Sequence, residues 1–276
     1  MSKHNRHPLL FRYPGGKHYA MNLLRPFWDA VDHTEYREPF VGGGSVFFNK
    51  MLSQKSWLND IDSELIVTYK IIADPNSRKK LIELITSEVA SKERWREVYE
   101  FVPKNELEIA FKYYYLNRTS FSGKLTNAAW GYRPKRSLPP ERWDERITPC
   151  GGKLENCIIT CGDFEVPILA PSEGSVLMFI DPPYYAPPKT KHYRNGFGID
   201  DHQRLNSLLK NTSHKFFLTY DDCEDVRKMY KWANVYPVEF FYRVDNANVQ
   251  NGRRKTGLEL IITNYEVMND VNGKKA

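Results

Sequence analysis

A chain of 276 residues with 41% hydrophobic side chains can bury a large core, as one domain or as one domain carrying a smaller one, which excludes general disorder. Lys and Arg outnumber Asp and Glu by 40 to 34, and the resulting +6 is compatible with a polyanionic partner without requiring one. No apolar run reaches bilayer length, the start Met1-Ser2-Lys3-His4 lacks an apolar leader, and the four cysteines fit no paired zinc spacing, so the sequence predicts a reduced, cytoplasmic protein with no membrane span and no structural metal.

From the amino end, Phe11-Arg12-Tyr13-Pro14-Gly15-Gly16-Lys17 reads as a loop before a short helix over 21–31. Gly15 and Gly16 let backbone approach a ligand and Lys17 places a cation beside it, the alternative being a plain turn at a domain start. Tyr36 to Phe48 reads as a strand end, a glycine turn at Gly42-Gly43-Gly44 and the first turn of a helix. The turn is not a phosphate loop, because the Lys-Ser/Thr pair is missing, and Phe47 occupies the third glycine position of the dinucleotide pattern. A different adenosine-bearing ligand is implied. Residues 56–62 form a second strand ending in Asp60 and Asp62, where α/β nucleoside sites hold ribose hydroxyls. Asp62 directly precedes a helical run over 63–73 and is assigned to capping, Asp60 to the ligand.

Past Asp74-Pro75 the strand rhythm gives way to charged, aromatic helices over 76–90, 92–101 and 105–116. Residues 117–127 have the polar, Gly-containing composition of a hairpin or extended loop, and residues 130–136 are dense in cations and rings. Arg118, Ser120, Ser122, Lys124, Asn127, Arg133, Lys135 and Arg136 are side chains of the types that meet base edges and phosphates, and Phe121 is able to wedge or stack. A solvated surface is the alternative for any one of them; the cluster as a whole reads as nucleic-acid binding.

The sheet resumes over 157–161, followed by Gly162-Asp163-Phe164. Val176-Leu177-Met178-Phe179-Ile180 then reads as a strand buried on both faces, and it stops at Asp181-Pro182-Pro183-Tyr184-Tyr185, the carboxyl end where open α/β sheets place ligands. Two prolines stiffen the backbone after Asp181, so a carboxylate and the Pro182 carbonyl stand side by side as acceptors for a planar amino group, with Tyr184 offering a flat face. Alone, Asp-Pro-Pro is also a common strand terminator. Residues 186–198 read as a loop able to close over a bound base or as an ordinary connection. A helix capped by Asp200 runs to 210, a strand covers 215–220, a helix 224–232, and the last strands 235–244 and 258–264. Between them, Arg253-Arg254-Lys255 has phosphate-binding potential.

Taken in order, the glycine-lysine loop, Glu38-Pro39-Phe40-Val41-Gly42-Gly43-Gly44, the acidic strand tip, the insert with Leu116-Asn117-Arg118, and Asp181-Pro182-Pro183-Tyr184 resemble the adenine-specific DNA methyltransferases of the Dam (deoxyadenosine methylase) type, the D12 class or alpha group of amino methyltransferases. The resemblance spans nearly the whole chain. It implies a Rossmann-like methyltransferase sheet, mostly parallel with an antiparallel strand at the C-terminal end, over 1–73 and 152–276. A mainly helical target-recognition domain is inserted over 74–151, with a hairpin near 117–136. It implies S-adenosyl-L-methionine as cofactor, S-adenosyl-L-homocysteine as product, double-stranded DNA as partner, and a bacterial, prophage or phage setting in which a cognate restriction endonuclease is an admissible companion. By position, Tyr13, Gly16, Lys17, Glu38, Phe40, Gly42, Gly44, Ser45, Asp60 and Asp181 would hold or border the cofactor, with Asp163 and Phe164 flanking its adenine. Asp181, Pro182 and Tyr184 would receive a flipped adenine. Two departures stand out: Lys124-Leu125-Thr126-Asn127-Ala128-Ala129-Trp130-Gly131-Tyr132-Arg133-Pro134 stands where GATC methylases carry an Arg-rich hairpin ending in Gly-x-Phe-Asn-x-Pro, which leaves GATC only a plausible target, and Tyr13 stands where a tryptophan is commoner.

Overall fold

Seven strands form one sheet in the computed structural model, which describes residues 7–13, 15–185, 196–241 and 256–267. They are β1 (Glu35–Glu38), β2 (Lys55–Asp60), β3 (Ile158–Cys161), β4 (Val176–Ile180), β5 (Lys215–Asp221), β6 (Asn234–Phe241) and β7 (Thr256–Thr263), in the order β3-β2-β1-β4-β5-β7-β6. β3 through β5 in that order are parallel, and β7 runs antiparallel between β5 and β6. The order reverses between β1 and β4, so the carboxyl ends of these two strands open the crevice in which α/β sheets take their ligands. This is the Rossmann-like, mostly parallel sheet that the sequence predicts.

The helices are α1 (Met21–Asp29), α2 (Ser45–Asn49), α3 (Ser63–Ala73), α4 (Pro75–Thr86), α5 (Lys92–Glu100), α6 (Glu106–Thr119), α7 (Asp144–Leu154), α8 (Glu165–Leu169), α9 (Ile199–Asn211) and α10 (Glu224–Met229). Alternation along a strand sorts them into two layers. Val176, Met178 and Ile180 of β4 join Phe216, Leu218, Leu260 and Ile262 in a core covered by α8, α9 and α10. Leu177 and Phe179 face the other side with Phe217 and Ile261, and that core continues through α1, α2 and α3 into α4 to α7. β4 is buried at all its positions, as a run of five apolar residues requires.

Local chemistry fixes several boundaries. Asp62 caps α3 as predicted, its Oδ1 accepting from Glu64 N at 3.1 Å and Leu65 N at 3.2 Å. Asp200 is not a cap: Gly198 holds that place, and Asp201 in the first turn reaches back to accept from Gly198 N at 2.9 Å. Residues 117–119 are not loop either. α6 continues through them because burial overrides their polar composition, with Thr119 Oγ1 donating to Tyr115 O at 2.6 Å. Of the expected hairpin, a single antiparallel bridge between Ser120 and Trp130 is formed among the described residues, with a 3-10 turn at Phe121–Gly123. The helices α7 and α8 have no counterpart in the sequence reading, α7 because Pro149, Gly151 and Gly152 argue against helix. No described helix is long and apolar enough to cross a membrane.

Candidate active site

A cavity of about 140 Å³ opens at the carboxyl ends of β1 and β4. Its floor is the turn after β1. Gly42 and Gly44 have φ of +45° and +63°, and a Cβ on Gly42 would stand 2.9 Å from the Tyr13 ring, so the turn closes beneath that ring only with glycine. Three contacts hold the turn: Asp60 Oδ2 accepts from Gly42 N at 2.9 Å, Tyr69 OH donates to Gly42 O at 2.8 Å, and Val41 N donates to Asn59 O at 2.8 Å. Asp60 Oδ1 also accepts from Asp62 N at 3.0 Å, and burial pushes the Asp60 carboxyl up to about 6 despite these bonds.

Asp181 lines the same cavity, just past β4. Its Oδ1 accepts from Lys17 Nζ at 2.7 Å and from Thr219 Oγ1 at 2.6 Å, whereas Oδ2 takes no hydrogen bond from any described residue. Lys17 is buried in the 3-10 turn that follows the glycine pair, and its ammonium also reaches Gly15 O at 3.2 Å and Tyr184 OH at 3.3 Å. Tyr184 donates to Glu259 Oε1 at 2.6 Å, and Tyr185 N donates to Asp221 Oδ1 at 2.9 Å, so both residues after the prolines are tied to the β5–β7 pair. One acceptor oxygen at the end of the central strand is thus left open on a cavity bounded by a glycine turn, acids and aromatic rings.

Residues 13–244 match the family described as D12 class N6 adenine-specific DNA methyltransferase. The chain belongs to that family. Among relatives of the D12 enzyme, the type II methyltransferase M.CviBI of Paramecium bursaria Chlorella virus NC1A is 26% identical over 93% of this chain and 99% of its own length. The type II methyltransferase M.MjaIII of Methanocaldococcus jannaschii is 28% identical over 84% of this chain and 88% of its own. The DNA N-6-adenine-methyltransferase of Escherichia phage P1 is 29% identical over 80% of this chain but only 31% of its own.

In the D12 enzyme Tyr13, Gly16, Lys17, Phe40, Gly42, Gly44, Ser45, Asp60 and Asp181 all line the cavity. Pro183 reaches it too, whereas the buried Pro182 and the half-buried Tyr184 are not among its lining residues. Three expected cofactor residues stand back from the wall. Asp163 is clamped by Arg204 at 2.8 Å through both carboxylate oxygens, and Phe164 stacks behind Phe40 at 5.1 Å, so Phe40 and Phe197 present the aromatic surface instead. Glu38 is buried beneath the turn, where Oε1 accepts from Tyr36 OH at 2.6 Å and Phe47 N at 2.8 Å and joins β1 to α2.

Burial pushes the Glu38 carboxyl from 4.5 up to about 8. With the folded value above the unfolded one, the stability contributed by the protonated form is full below about pH 4.5 and lost as pH rises through about 8. Glu38→Gln keeps an acceptor oxygen and cannot ionise, so it is expected to remove a slope of up to about 1.4 kcal/mol per pH unit across that window. The check is a smaller fall in Tm between acidic and alkaline buffer than the unmodified protein shows.

Of the expected DNA contacts, Arg118 at 6% exposure and Ser120 at 0% lie inside, Ser120 accepting from Trp95 Nε1 at 3.0 Å. Both lie at the C-terminal end of α6, which packs against α3, α4 and α5. Phe121, Ser122, Asn127, Arg133, Lys135 and Arg136 are exposed, and Lys124 lines the cavity mouth with Leu125 and Thr126. Arg253, Arg254 and Lys255 lie outside the described residues. Sequence reasoning missed Thr219 and Glu259; the signal was there, as lone polar residues inside otherwise apolar strands. It read Asn117 as the start of the DNA-reading hairpin, whereas its amide accepts from Arg12 N at 2.8 Å and donates to Arg12 O at 2.9 Å and Gly123 O at 3.1 Å, fastening the insert to the glycine-lysine loop.

Proposed function

We propose that this D12 methyltransferase binds S-adenosyl-L-methionine in the cavity and methylates the exocyclic amine of an adenine flipped out of duplex DNA at a specific sequence. The residues present fit that cofactor: the glycine turn, too crowded for any Cβ, brings bare backbone to the cavity wall, Tyr13 and Phe40 supply flat apolar surface, and Asp60, Asp62 and Asp181 line the same cavity. When bound, S-adenosyl-L-methionine supplies an electrophilic methyl group on a sulfonium.

The observation that carries the reading is the open Oδ2 of Asp181. An adenine amine is a poor nucleophile because its lone pair is spread into the ring. Asp181 Oδ2 and the Pro182 carbonyl would accept its two hydrogens, concentrate the lone pair, and leave the carboxylate placed to take the proton the amine loses. Lys17 and Thr219 hold the other oxygen and so fix the direction of this one. Tyr184, its hydroxyl anchored on Glu259, would stack on the base. No step here calls on a metal.

Residues 74–151 are proposed as the target-recognition part, with the exposed Phe121 wedging into the stack and Arg133, Lys135 and Arg136 meeting phosphates. Flipping costs a few kcal/mol of stacking and pairing, which such interactions offset. Replacing Lys135 and Arg136 with Ala is expected to lower the slope of log affinity against log salt by about 0.9 for each phosphate these cations neutralise, measured by anisotropy on a labelled duplex. A companion restriction endonuclease belongs to the same reading, supported by the type II names of two relatives.

Radiolabelled methyl transfer to duplex DNA, RNA and protein in parallel tests the assignment. Label in DNA adenine alone is expected; label in cytosine, in RNA or in protein contradicts it.

A further inference from the structure

β7 carries a second carboxylate to the site. Glu259 is 2% exposed and sits opposite Asp221 in the β5–β7 register, on the face that Thr219 and Lys17 share. Its Oε1 accepts from Tyr184 OH at 2.6 Å, and its Oε2 lies 3.9 Å from Lys17 Nζ and is buried with no hydrogen bond from any described residue. Lys17 lies 5.2 Å from the centroid of the Tyr184 ring, so one cation touches both carboxylates and the aromatic platform.

Among the described residues, the charged groups facing Glu259 are Lys17 from the glycine-lysine loop, Asp181 from the end of β4 and Asp221 from β5, with the Tyr184 phenol beside them. Burial, partly offset by Lys17 and by the bond from Tyr184, pushes the Glu259 carboxyl up to about 7.

We propose that Glu259 is a positioning residue for methyl transfer, fixing the Tyr184 ring through its hydroxyl and keeping Lys17 shared between two carboxylates while it is ionised. This rests on the reading of Asp181 and Tyr184 as the catalytic pair. In the ionised state the bond from the Tyr184 hydroxyl is charge-assisted and short, which orients the ring against the β5–β7 pair. Protonation at Oε2 weakens that bond and releases Lys17 entirely to Asp181, the acceptor the amine must use. The site is therefore tuned to lose activity as pH falls through neutrality.

The test is the pH profile of kcat at saturating cofactor and duplex for the unmodified enzyme, Glu259→Gln, Tyr184→Phe and the double variant. The unmodified enzyme is expected to show an acid limb, kcat falling as pH drops below about 7. Glu259→Gln keeps the side-chain size and an acceptor oxygen, and is expected to abolish that limb, lower kcat about 10-fold at pH 8 and leave KM for the cofactor within about twofold. In the Tyr184→Phe background the same change is expected to cost clearly less, because the link is already cut. A flat profile in the unmodified enzyme between about pH 6 and pH 8 overturns the proposal even if Glu259→Gln does not fold. So do fully additive effects, or a folded Glu259→Gln with unaltered kcat and profile. Asp181→Asn, run alongside, separates the two levels: an active Asp181→Asn removes the catalytic reading itself, whereas an inactive one beside an unaltered Glu259→Gln removes only the role of Glu259.

Discussion

Asp181→Asn is expected to lower kcat for methyl transfer to duplex DNA by about 10²- to 10³-fold, the scale seen when one preorganised partner of a transition state is removed. The side chain keeps its shape, so the fold and cofactor binding should be spared, with the cofactor Kd within about twofold by calorimetry. What changes is polarity. Lys17 Nζ and Thr219 Oγ1 both donate to one oxygen of this group, and they will hold the amide carbonyl in that position. The amide nitrogen is then forced to the place of Oδ2, where it presents hydrogens to an amine that needs an acceptor. Turnover close to that of the unmodified enzyme would contradict the role assigned to Asp181.

Lys17→Met is expected to cost about 100-fold in kcat by a different route. Methionine fills much the same volume but leaves Asp181 and Glu259 without the buried ammonium that lies 2.7 Å from one and 3.9 Å from the other. Since Lys17 holds the Glu259 carboxyl down against burial, its removal moves that group above its present value of about 7. The activity of Lys17→Met should therefore recover partly as pH is raised, with the acid limb displaced upward. A uniform loss at every pH, or a loss confined to cofactor binding, would show that Lys17 serves the cofactor and not the carboxylates.

The parts of this molecule legible in the sequence are those decided locally. Five apolar residues before Asp181 can only be satisfied in the middle of a two-layered sheet, and β4 is there. Asp62 before a helical run makes a cap by short-range hydrogen bonds, and it does. The glycine turn and Asp181 line one cavity because each follows a strand that ends on the same edge of the sheet, and Tyr13 and Lys17 reach it from the loop before α1. What escaped notice depends on distant chain. Polar residues 117–119 look like loop until α6 buries them, and Arg118 looks like a DNA contact until its surroundings close over it. Phe164 follows a strand tip, as a cofactor residue should, yet Phe40 and Phe197 occupy the space in front of it. Glu259 lies 78 positions after Asp181 in the chain and meets its neighbourhood only because β7 inserts antiparallel beside β5. No local pattern encodes that register, though a lone acid in an apolar strand is a reason to look for one.

The most direct measurement is a crystal structure of the enzyme with S-adenosyl-L-homocysteine and a duplex carrying its target adenine. The account predicts the adenine outside the helix, its amine nitrogen about 3 Å from Asp181 Oδ2 and from the Pro182 carbonyl, with its ring on Tyr184 and the cofactor sulfur behind the amine. An adenine still stacked in the duplex, or an extruded base whose amine is held by groups other than Asp181, would contradict it.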